Sequence, residues 1–160
     1  MPELNVKRIM SFKEVKVTDL SNAQKGKIGE LVVLFSYIEW LIANVVLLLH
    51  IPPQDYEHVG EMDLANDYFK TLLALNFSRK IDNLRSLGFD VSNLRKIGEY
   101  RNNIVHGIMF DDGEGLISNN FAKGKNVNFS NEIIDENIKL LQEEGAKLLN
   151  FLENRGYKPQ

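Results

Sequence analysis

The chain has 160 residues, 44% hydrophobic and 26% charged, with a formal net charge of −3. That length can bury one core, and the slight acidity argues against a general nucleic-acid coat protein. Cysteine is absent, which excludes a disulfide framework, a thiolate zinc site and a cysteine nucleophile, and fits a reducing, cytoplasmic setting.

Residues 1–20 carry Lys7, Arg8, Lys13, Glu14 and Lys16 around no apolar core, and read as an N-terminal extension rather than a signal peptide. Residues 21–157 read as one helical domain. The stretch 31–49 is nearly long enough to span a bilayer. Glu39 sits near its middle, however, and a carboxylate at the bilayer centre costs about 2.5–3.5 kcal/mol. Leu31, Phe35, Ile38, Ile42, Val45 and Leu49 alternate spacings of four and three, and Leu34, Leu41 and Leu48 add a second row. A helix apolar around so much of its girth is buried on more than one side. We therefore expect a central bundle helix, or one shared with a second copy, and no membrane span.

Ile51-Pro52-Pro53 stops this helix, because neither proline can donate to the ladder. Helical spacing returns with Leu64, Tyr68, Leu72 and Leu75. Ser78 offers a fresh N-cap, and Ile81 and Leu84 continue the apolar face as far as Gly88, so 63–87 reads as one helix or two. Ser92 is the expected N-cap of a helix running to about His106. Ile108-Met109-Phe110 and Leu116-Ile117-Ser118 flank a turn at 111–115, and Val127 and Phe129 offer a third short strand. The last helix starts near Asn131 and buries Ile134, Ile138, Leu141, Leu148 and Leu152. The expected fold is mainly α, a four-to-five-helix bundle with a small β-hairpin insertion before the last helix.

The helix ending at His106 holds the most informative residues, Glu99-Tyr100-Arg101-Asn102-Asn103-Ile104-Val105-His106-Gly107. Leu94, Ile97, Ile104 and Ile108 form its apolar stripe, and at about 100° per residue Arg101 falls on or beside that stripe. A guanidinium keeps its charge inside a protein, so such a position requires a partner or a function. Glu39 is the candidate partner. His106 precedes a glycine suited to a C-cap, at the negative end of the helix dipole, which favours the imidazolium. Asn102, four residues before His106, shares its face. Arg79, Lys80, Arg85, Arg95, Lys96 and Arg101 add a local basic cluster to an acidic chain.

This segment resembles the signature of the HEPN superfamily, small helical-bundle proteins of toxin–antitoxin and defence systems. Their motif is an arginine, a polar residue, a few further positions and a histidine. Arg101, Asn102 and His106 match it with four residues between arginine and histidine, and a long apolar helix lies upstream as the family's fold requires. The resemblance implies metal-independent endoribonuclease activity, with no cofactor. The ribose 2′-hydroxyl would attack the adjacent phosphorus and leave a 2′,3′-cyclic phosphate. Arg101 and His106 would be catalytic, supported by Asn102, in a homodimer whose two motifs line one cleft. A protein antitoxin, such as a nucleotidyltransferase-like partner, would restrain it. The alternative within the same resemblance is a non-catalytic module that binds RNA, a nucleotide or a protein.

Other residues point elsewhere only weakly. His50 and His58 lie eight apart near Asp55, Glu57 and Glu61, a spacing that matches no usual metal-ligand pattern. Tyr37 and Trp40 read as core or interface aromatics ahead of a base-stacking platform. Gly113-Glu114-Gly115 is a turn, and the chain carries no phosphate-binding loop.

Overall fold

The computed structural model describes residues 13–14, 20–52, 54–55, 58, 62–106, 108–111, 116–120, 125–128 and 130–157, of which 13–14, 63, 104–106, 108–111, 116–120 and 125–128 by backbone alone. Five helices dominate it: α1 (Asn22–Leu49), α2 (Asp63–Ala74), α3 (Phe77–Ser86), α4 (Ser92–His106) and α5 (Asn131–Glu153).

Helix α1 begins at a reciprocal cap. Ser21 Oγ accepts from the Gln24 N–H at 3.1 Å, and Gln24 Oε1 accepts from the Ser21 N–H at 2.9 Å, so two otherwise orphaned donors are satisfied together. It ends where Pro52 follows, and His50 Nδ1 donates to the Val46 carbonyl at 2.7 Å. Along α1, Leu31, Phe35 and Ile38 are buried on one side, and from Leu41 to Leu48 every residue is buried. The helix is long and apolar enough to cross a membrane by length and composition. Its most apolar window is nevertheless 61% buried inside the fold, which is the packing of a core helix. The amino-terminal half is covered on one side only and leaves Val32, Val33 and Tyr37 exposed.

Helices α1 and α5 run in the same direction, side by side. Lys27 pairs with Asp135, Gly145 faces Ile38, and Tyr157 Oη donates to Asn44 Oδ1 at 2.9 Å, rising together along both helices. A Cβ on Gly145 would lie 3.1 Å from Ile38 Cδ1, so the missing side chain sets the spacing of this pair. Helix α3 follows α1 in the same sense, through Phe35 against Phe77 and Glu39 against Lys80. Helix α4 returns antiparallel to α3, with Arg95 on Asp82 and Gly98 on Phe77. It also packs on α5, which closes α1, α3, α4 and α5 into a ring, with α2 added against α1. Leu84, Leu94, Ile97, Ile134, Leu141 and Leu152 fill the centre.

The segment 63–87 is two helices. Leu75 and Asn76 are extended (ψ 146° and 158°), and Asn76, not Ser78, caps α3 by accepting from the Arg79 N–H at 2.9 Å. Gly88, at φ +92°, then ends the α3 segment with a backbone that only glycine adopts freely. On α2 the buried residues are Ala65 and Leu72, with Phe69 packed against the core, whereas Leu64 is 83% exposed. Ser92 is likewise not a cap. It is the first residue of α4, and the Asp90 carboxylate accepts from its N–H at 3.0 Å and its hydroxyl at 2.8 Å. Beside it, the buried Glu144 of α5 accepts from Asn93 Nδ2 at 3.0 Å and from Lys147 Nζ at 2.6 Å, tying the start of α4 to α5.

The bonds from Ser92 hold the Asp90 carboxyl below its ordinary value. A depressed folded value contributes stability above the unfolded value, and that stability is lost as pH falls through the folded one. The stability gap between wild type and Asp90→Ala is therefore expected to stay constant above about pH 5 and to shrink below about pH 4. Denaturant midpoints across pH 2–7 check this, and a gap that widens in acid would contradict it.

The remaining strands are short and antiparallel. β1 (Lys13–Glu14), β2 (Ile108–Asp111), β3 (Leu116–Asn120) and β4 (Lys125–Asn128) lie in the order β1-β2-β3-β4. Asp111 pairs with Lys13 and Leu116, and Ser118 with Met109 and Val127. β1 comes from the stretch read above as an N-terminal extension. Of the turn read at 111–115, residues 112–115 lie outside the described residues, as does Phe129. The sheet sits at the carboxyl end of α4, where β3 and β4 touch that helix.

Candidate functional site at the end of α4

Arg101 and Asn102 stand in the last turns of α4, both half-buried. The Arg101 guanidinium carbon lies 5.0 Å from the centroid of the Phe35 ring on α1, and Nη1 donates to Asn102 Oδ1 at 3.2 Å. A guanidinium over an aromatic face is attracted by the ring quadrupole, by about 0.5–2 kcal/mol depending on desolvation. Phe35 is in turn backed by Phe77 of α3, with ring centroids 4.4 Å apart. Gly98 completes the stack, since a Cβ there would meet Phe77 ring carbons at 2.5 and 2.7 Å. Three helices thus fix one arginine through two rings and a glycine.

Glu39 is not the partner of Arg101 among the described contacts. Its Oε1 lies 3.5 Å from Lys80 Nζ, one turn along α1 from Phe35. The reason is register: α3 follows α1 from Phe77 onward and delivers the buried Lys80 to the position of Glu39, while α4 delivers Arg101 to Phe35. Arg101 consequently keeps its charge with a ring and an amide as neighbours and no carboxylate among the described contacts. Of the basic cluster read in the sequence, Lys80 and Arg95 are engaged, with Glu39 and Asp82.

His106 is the last residue of α4, and its side chain lies outside the described residues. Its backbone position follows Arg95, Glu99 and Asn102 at spacings of four, three and four, which puts the four positions on one face of the helix. Arg95, Glu99 and Asn102 line a cleft of about 320 Å³ between α3 and α4, whose other wall carries Ser78 and Asp82. Phe77, Ile81 and Gly98 also line it. Tyr100, on the opposite face, is buried, and desolvation pushes its hydroxyl up to about 12.

The sequence reading missed Phe35, Phe77, Gly98 and Lys80 as parts of this site. The signal present was an aromatic and a charge about one turn apart on each of two helices, Phe35 four residues before Glu39 and Phe77 three before Lys80. The rings of Tyr37 and Trp40 stack at 5.8 Å, but Tyr37 lies about 200° around α1 from Phe35 and so points away from Arg101. His50 spends Nδ1 on the end of α1 and meets the edge of Tyr68 at 5.6 Å.

The close approach of Gly98 has a measurable consequence. Helix propensity favours alanine over glycine by about 1 kcal/mol, but the Phe77 ring is backed by Phe35 and yields poorly to an added methyl. Gly98→Ala is expected to lose about 1–3 kcal/mol from overpacking. Gly29→Ala, with nothing within 4 Å of the new carbon, is expected to gain up to about 1 kcal/mol. Thermal melts of the two variants should move in opposite directions, and a stabilised Gly98→Ala would show that the α3–α4 contact yields to an added methyl.

The fold and this end of α4 define a helical-bundle domain with an arginine–amide–histidine motif at a helix terminus. Comparison of the chain with protein-family models, curated proteins and solved structures returned no match.

Proposed function

We propose that this chain is a cytoplasmic, metal-independent endoribonuclease of the HEPN-like toxin or defence type, in which Arg101 and His106, supported by Asn102, cleave RNA by attack of the ribose 2′-hydroxyl. One observation carries the reading: Arg101 is a half-buried cation held by the Phe35 ring and the Asn102 amide, with no carboxylate among its described contacts. A structural arginine at such depth is expected to be matched by an acid, and the candidate read from the sequence, Glu39, is spent on Lys80. The unmatched charge suits a phosphate, whose oxygens a guanidinium fork can bridge.

The chemistry asks for proton transfer at the attacking and leaving oxygens and for positive charge on the crowded transition state. His106 exchanges the proton, Arg101 supplies the charge, and Asn102 holds the Arg101 fork. Positions 101 and 106 diverge by about 140° on a helix, so one motif flanks the helix rather than converging on a point. A two-fold mate that brings a second motif against the first supplies both proton-transfer groups, and a protein antitoxin covers the cleft.

The test is incubation of labelled structured RNA in EDTA, with end-group analysis and the oligomeric state measured in parallel. Fragments ending in 2′,3′-cyclic phosphate from a dimer are expected. Intact RNA, bound but uncut, would replace this reading with a non-catalytic RNA-binding module.

A further inference from the structure

We infer that the α3–α4 cleft beside the motif is a base-reading subsite that selects guanine, an inference that rests on the ribonuclease reading for its place in the reaction but not for its chemistry. The cleft lies on the helical face that runs through Asn102 to the position of His106, so a strand whose phosphate meets the motif leads a neighbouring base into it. Its volume of about 320 Å³ accommodates a purine, and its lining is mostly polar, with the edges of Phe77 and Ile81 beside Gly98.

The rim decides which base. Asp82 is neutralised by Arg95 Nη2 at 2.8 Å, whereas the exposed Glu99 has no hydrogen-bond or ion-pair partner among the described residues. An exposed carboxylate accepts two hydrogen bonds side by side. Guanine alone presents two adjacent donors, N1–H and N2–H, on its Watson–Crick edge. Adenine and cytosine place a ring acceptor beside their amino group, and uracil places one N–H between two carbonyls, so each would set an acceptor against the carboxylate. Arg95, four residues before Glu99 on the same face, retains guanidinium donors beyond the one given to Asp82 and can meet guanine O6. The Arg95–Glu99 couple thus matches the acceptor–donor–donor order of the guanine edge.

The four nucleoside monophosphates titrated into the full chain, followed by amide chemical shifts, test this without any cleavage. GMP is expected to bind at least about tenfold tighter than AMP, CMP or UMP, to shift amides around Ser78, Gly98 and Glu99, and to lose that margin in Glu99→Gln, an exposed substitution that leaves the fold intact. Equal binding of all four, or a margin unchanged in Glu99→Gln, would overturn the inference. A single-stranded oligonucleotide with one guanine that binds more tightly than GMP assigns the base to RNA, while tighter binding of GMP or GTP assigns it to a free nucleotide; both uphold the guanine site. Guanine preference without RNA cleavage would sink the ribonuclease reading and leave the subsite standing. Cleavage with no Glu99-dependent preference would do the reverse.

Discussion

Arg101→Ala and His106→Ala are each expected to slow RNA cleavage by about 10²–10⁴-fold, in EDTA as in magnesium. The figure for His106 is that of a general acid or base removed from a positioned site. For Arg101 it is that of a preorganised charge removed from a developing anion. Arg101→Lys should recover little, because an ammonium on a flexible stem neither bridges two phosphate oxygens nor lies flat on the Phe35 ring. Asn102→Ala is expected to fall between these and wild type, since it removes the amide that accepts from Arg101 Nη1 and leaves the charge in place. Rates must be read beside melting curves, because Arg101 also packs on Phe35. His106→Ala that folds, dimerises and still cuts RNA at the wild-type rate would end the ribonuclease assignment.

How far the sequence could carry the fold depends on which contacts are local. The spacing of Ile134, Ile138, Leu141, Leu148 and Leu152 specifies one face of one helix, and all five are buried on α5. On α2 the same reasoning named Leu64, Tyr68, Leu72 and Leu75, of which Leu72 and Leu75 pack in the core and Leu64 and Tyr68 are exposed. Leu64 and Tyr68 look apolar enough to be core, yet the covered face carries Ala65, Phe69 and Leu72. Asn76 and Ser78 are both good caps by type, and only the extended backbone at Leu75 and Asn76 selects the first. At the site, Arg101, Asn102 and His106 were legible because they are neighbours in the chain. Phe35, Phe77 and Gly98 were not, because their contact exists only after three helices meet. The partner of Glu39 illustrates the limit most clearly: one carboxylate had several cations to choose from, and the register of α3 against α1 made the choice.

That choice predicts an asymmetry in stability. Lys80 is 4% exposed by side chain and Glu39 25%, so the two ends of the pair differ in access to water. Glu39→Leu leaves a buried ammonium without its anion and is expected to cost about 3 kcal/mol. Lys80→Met removes the desolvated charge and keeps most of the stem volume, while Glu39 turns to solvent, so its cost should be under about 1.5 kcal/mol. The double variant should sit near Lys80→Met alone, since burying an apolar pair is often neutral or better. A double-mutant cycle on urea midpoints measures the coupling, expected at about 3 kcal/mol, the top of the usual range for contacting residues. The same cycle run between Glu39 and Arg101 should close to within about 0.5 kcal/mol. A larger coupling to Arg101 than to Lys80 would return Glu39 to the arginine, neutralise the charge on which the ribonuclease reading depends, and make the motif a packing element.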